Sequence, residues 1–135
     1  FHILKTYRSR KEGEYMKKIM VVDDSRIAYA QLGRLLKGTD YEITKYCRDG
    51  LSAVKAYEAC MPDLVTMDII MPDMDGFEAA KAILGKWPDA RILMASSLAY
   101  DETMEKAEEI GTRGFVFKPF ERDSLIEAFE KALAD

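Results

Sequence analysis

Histidine is nearly missing from this chain: of 135 residues only His2 is one, and it lies at the very start. Catalysis by a histidine acid or base, and His-rich metal sites, are excluded on that count. Cysteine is almost as scarce. Cys47 and Cys60 lie 13 positions apart with no CxxC spacing and no histidine companion. Reduced thiols in a cytoplasmic protein are therefore expected, not a disulfide or a zinc site. No apolar run approaches the ~20 residues that span a bilayer, and the opening residues lack the pattern of a secretion signal. Internal repeats and low-complexity segments are also missing.

What is present is ordinary in bulk and uneven in place. Hydrophobic residues make up 48% and charged residues 33%, which suits a globular domain with its own core. Residues 1–18 hold six basic side chains against Glu12 and Glu14, a net of +4, so the remaining chain carries −8 of the total −4. An acidic body argues against direct binding of nucleic acid as the main task. The residues "KEGEY" before Met16 are those that AAGGAGG-like codons would give at ribosome-binding spacing before a start codon. The expectation is an N-terminal extension over 1–16, arising from a start set too far upstream or from added residues, and one domain over 17–135.

Five β-type runs alternate with five helical ones. The strands are expected over residues 18–22, 41–46, 64–67, 91–95 and 114–117. Phe77, Ala80, Leu84 and Trp87 repeat at helical spacing, and Leu125, Ile126, Phe129 and Leu133 line one side of the last helix. Strict alternation with continuously apolar strands predicts an α/β fold, a five-stranded parallel sheet covered by helices on both faces. Right-handed crossovers then bring every strand's C-terminal end to one edge, where ligands bind in open sheets. The residues at those ends are Asp23 and Asp24, Asp68, Ser96 and Ser97, and Lys118. The second strand, with its alternating "YEITKY", reads as an edge strand that adds nothing chemical.

Three converging aspartates repel one another unless a cation or protons intervene. Oxygen donors without Cys or His suit a hard divalent ion, Mg²⁺ before Ca²⁺. A carboxylate can also attack phosphorus to form an acyl phosphate, with Lys118 and the metal balancing charge and Ser96 donating a hydrogen bond. The pattern thus points to a phosphoryl-accepting aspartate.

The segments "VVDDS", "DLVTMDIIMPDMDG", "ILMASS" and "GFVFKPF" resemble the receiver domains of response regulators from bacterial two-component systems, most of all small CheY-type chemotaxis regulators. The resemblance implies a flavodoxin-like (βα)5 three-layer sandwich with strand order 2-1-3-4-5. It implies Asp68 as phosphoacceptor and Mg²⁺ (or Mn²⁺) on Asp24, Asp68 and the Ile70 carbonyl, with Asp23 acting through water. Ser96 matches the switch hydroxyl, beside Ser97; Phe115 matches the rotating aromatic, Lys118 the site lysine, and Pro119 follows it across a cis bond. Implied partners are a sensor histidine kinase and a downstream effector at the face of the fourth helix, fifth strand and fifth helix. A monomer or a weak dimer linked to phosphorylation is implied, with no membrane insertion. A receiver cut from a longer regulator and a non-phosphorylated pseudo-receiver stay open as alternatives. Hydrolases with an aspartate nucleophile commonly carry DxDx[TV] after the first strand, where this chain has "DDSRI". Ser97 is bulkier than the usual Ala or Gly. Ile70 and Leu98 are apolar where fast-hydrolysing receivers often carry polar groups, so slow autodephosphorylation is expected.

Overall fold

The computed structural model describes residues 16–98 and 100–134; the basic extension lies outside them apart from Met16. Strands β1 (Lys17–Val22), β2 (Tyr41–Cys47), β3 (Leu64–Asp68), β4 (Ile92–Ser96) and β5 (Phe115–Phe117) form one parallel sheet in the order β2-β1-β3-β4-β5. Helices α1 (Arg26–Leu35), α2 (Gly50–Cys60), α3 (Gly76–Lys86), α4 (Asp101–Ile110) and α5 (Arg122–Leu133) connect them. This is the expected flavodoxin-like sandwich, and no helix among the described residues is long and apolar enough to cross a membrane.

Alternate residues of each central strand feed two cores. Met20, Val22, Val65, Met67, Ile92 and Met94 pack under α2 and α3, whereas Ile19, Val21, Leu64, Leu93 and Ala95 pack under α1 and α5. β3 and β4 are buried at every position, which is why they read as unbroken apolar runs. β2 needs one adjustment. Its pairing with β1 skips Thr44, so Tyr41, Ile43 and Tyr46 share one core while Cys47 joins the other. Cys47 closes β2 and Cys60 closes α2; both are free thiols.

The helix starts are set locally. Ser25, not Asp24, caps α1 by accepting from Ala28 N at 3.2 Å. Asp49 caps α2 through Ser52 N, and Asp75 forms a reciprocal capping box with Glu78 at the start of α3. Gly76 is sterically required: a Cβ there would sit 2.0 Å from the carbonyl oxygen of Asp68. The start of α3 is thereby pressed against the strand that carries Asp68, and Gly76 N donates to Ile69 O at 2.7 Å.

Candidate functional site

The site assembles from strand ends. Asp23 and Asp24 directly follow β1, Asp68 is the last residue of β3, Ser96 the last of β4, and Lys118 directly follows β5. Asp68 and Ser96 therefore belong to the strands, one place earlier in the architecture than a "just after the strand" reading puts them. The reason is that pairing continues past Asp68 and reaches Ser96: Ile69 N donates to Ala95 O, and Lys118 N donates to Ser96 O.

Carboxylate oxygens of Asp23, Asp24 and Asp68 all lie within 4.8 Å of one another. Asp23 and Asp68 are buried, at 4% and 7% exposure, while Asp24 faces solvent. Lys118 Nζ bridges the two buried carboxylates, 2.7 Å from Asp23 Oδ2 and 3.2 Å from Asp68 Oδ1. Burial, and then repulsion from Asp23, raises the Asp68 pKa to about 6 despite the ammonium beside it. Burial pulls the Lys118 pKa down, but the two carboxylates outweigh it and the net shift is upward. Three carboxylates facing one ammonium leave a negative excess in a partly dry pocket. A hard divalent cation held by oxygen donors fits that donor set, with Asp23, Asp24 and Asp68 as the residues to hold it.

The other expected residues spread around this centre. Ser96 is buried, and its Oγ accepts from Leu98 N at 3.0 Å. Ser97 is exposed. Ile70 lies two residues past the end of β3 and is 60% exposed. Phe115 is half-buried, packs against the core under α2 and α3, and lies 5.3 Å ring to ring from exposed Phe117. The Lys118–Pro119 bond is cis. Asp73 and Asp75 stay out of the cluster: the first is a loop residue at φ 68°, the second the α3 cap.

One contribution escaped the sequence reading. The end of β2, expected to add nothing chemical, holds the aspartate pair from behind. Cys47 O accepts from Asp23 N at 3.0 Å, and Arg48 Nη2 donates to Asp24 O at 3.3 Å. Asp23 Oδ1 also accepts from Ser25 N at 2.9 Å. The available signal was a basic residue directly after a strand that shares the ligand-binding edge. The Leu98 N–H on Ser96 was likewise invisible, because a backbone donor carries no side-chain signature.

Residues 19–130 match the family described as the response regulator receiver domain. The chain is 38% identical over 117 residues to the chemotaxis protein CheY of Listeria monocytogenes, covering 87% of this chain and 98% of that protein. It is 36% identical over 116 residues to the CheY of Bacillus subtilis, covering 86% of this chain and 97% of that one. Among solved structures, the CheX–CheY–BeF3–Mg²⁺ complex of Borrelia burgdorferi contains a similar chain. The TM-score is 0.87 at 26% identity, covering 97% of this chain and 99% of that one.

Proposed function

Because this chain belongs to the response regulator receiver domain family, we propose that it is a phosphorylation switch in which Asp68 accepts a phosphoryl group from a histidine kinase. The observation that carries the reading is the triad of aspartates within 4.8 Å, with Lys118 Nζ between Asp23 and Asp68. Asp68 attacks the phosphorus of phosphohistidine through one carboxylate oxygen. The P–N bond breaks, its electron pair returns to the imidazole nitrogen, which takes up a proton, and an acyl phosphate forms. Bound Mg²⁺ supplies charge that offsets the phosphoryl oxygens. Lys118 already stands where it can shift from the carboxylates to one of those oxygens.

The switch is carried by Ser96. Its Oγ is engaged by Leu98 N, so turning toward a phosphoryl oxygen releases the start of the loop to α4. That loop leads to the surface formed by α4, β5 and α5, where Phe115 moves inward and a downstream partner docks. Phosphorylation shifts an existing equilibrium by binding one arrangement of Ser96 better than the other. Kinship with CheY proteins favours chemotaxis as the setting, and no element of the reading calls for nucleic acid or a membrane. Ile70 and Leu98 place apolar groups where an attacking water would need orientation, so the acyl phosphate decays slowly. Beryllofluoride plus Mg²⁺ tests the switch by NMR: shifts at Ser96, Phe115 and α4 support it, and shifts confined to Asp68 and its neighbours contradict it.

A further inference from the structure

The metal-binding side of the pocket is held by a residue on the neighbouring strand end, and its arrangement implies a role. Arg48 lies between two fixed points: Cys47, paired into β2, and Asp49, whose carboxylate accepts from Ser52 N at 2.8 Å and Ser52 Oγ at 2.9 Å to cap α2. From there its guanidinium donates to Asp24 O at 3.3 Å. Behind it stands Tyr46, stacked face to face on Tyr29 of α1 with ring centroids 3.9 Å apart and planes 1° from parallel. The Tyr46 hydroxyl is the one buried side-chain polar atom without a hydrogen-bond partner noted among the described residues. Arg48, Asp23 and Arg26 are the charges that act on that hydroxyl. Two adjacent residues of β2 and its loop thus grip the Asp23–Asp24 turn: Cys47 O on the first amide, Arg48 on the second carbonyl.

We infer that Arg48 is a positioning residue for the divalent-cation site, holding the Asp23–Asp24 turn in the conformation that presents both carboxylates to the ion. The inference rests on the proposed function, since it concerns the cation that the reading places on those aspartates. It is open to a sharp test because position and charge have opposite signs. A cation beside an acidic site repels Mg²⁺, so removing Arg48 for electrostatic reasons alone tightens metal binding. Removing it as a brace weakens binding, because the turn must then be ordered at the moment the ion binds.

Isothermal titration of the full chain with Mg²⁺ alone, at fixed ionic strength, separates the two. Arg48→Met is expected to weaken Mg²⁺ binding about 10-fold despite the lost positive charge, at the lower end of the range for groups that orient metal ligands. Arg48→Lys keeps the charge but not the reach of the planar fork, so it is expected to weaken binding as well. The urea midpoints of both metal-free variants should stay at the parent value, because the side chain is exposed. Tighter or unchanged binding in Arg48→Met, with Arg48→Lys equal to the parent, overturns the inference. A parent protein that binds no Mg²⁺ overturns the proposed function instead.

Discussion

The two sides of the pocket are built on opposite plans. On the β1 side, Asp23 and Asp24 sit in a turn fastened by four hydrogen bonds: Asp23 N to Cys47 O, Ser25 N to Asp23 Oδ1, Ala28 N to Ser25 Oγ, and Arg48 to Asp24 O. On the β4–β5 side, Ser96 Oγ is held by one bond from Leu98 N, Ser97 is exposed, and β5 is three residues long. A metal site gains from being ordered beforehand, whereas a switch must have somewhere to go. Asp68 lies between them, on a strand buried along its whole length and pinned by Gly76. Under the proposed function, the cation side is the fixed frame and the hydroxyl side the moving part.

Breaking the frame should have the largest effect. Gly76→Ala puts a methyl group 2.0 Å from Asp68 O, with backbone rather than a flexible side chain in its way. About 3 kcal/mol of stability should be lost, at the upper end for overpacking, and urea denaturation reads it.

Next comes the charge at the centre. Asp68 keeps its proton up to about pH 6 in the folded chain, against a usual value of 3.8, so folding takes up a proton between those limits. The favourable contribution is complete below the lower value and disappears as pH rises through 6. At pH 7 the metal-free protein should therefore be about 2–3 kcal/mol less stable, from this group, than near pH 4. Asp68→Asn should flatten that part of the profile. Urea midpoints at several pH values check both.

Smaller effects should appear on the moving side. Ser96→Ala removes the Oγ that Leu98 N engages, with a stability change of about 1 kcal/mol. Mg²⁺ affinity should stay at the parent value while the beryllofluoride response at Phe115 is lost. Loss of Mg²⁺ affinity would mean that the two sides are not separate. The smallest effect is expected in signal lifetime. Ile70→Asn and Leu98→Glu should each speed acyl-phosphate decay by adding a group that orients water, and decay followed over time decides it.

The frame was largely legible in the sequence. Apolar runs ending in Asp23, Asp68, Ser96 and Lys118 announced a parallel sheet with chemistry at one edge, because burial and strand direction are both written in side chains. Held groups that act through the backbone were not readable. The Cys47 carbonyl, the Leu98 amide and the close approach at Gly76 depend on which strands lie side by side, and on a register shift at Thr44 that no residue type announces. Arg48 fell between the two cases: its type was visible, but its target is a main-chain oxygen across the sheet.

The central claim is that Asp68 accepts a phosphoryl group with help from a divalent ion. Intact mass measurement after incubation with acetyl phosphate tests it most directly. One added phosphoryl group is predicted for the parent protein with Mg²⁺, none after chelation, and none for Asp68→Asn under either condition. An unmodified parent protein, or a phosphoryl group that persists in Asp68→Asn, would contradict the account.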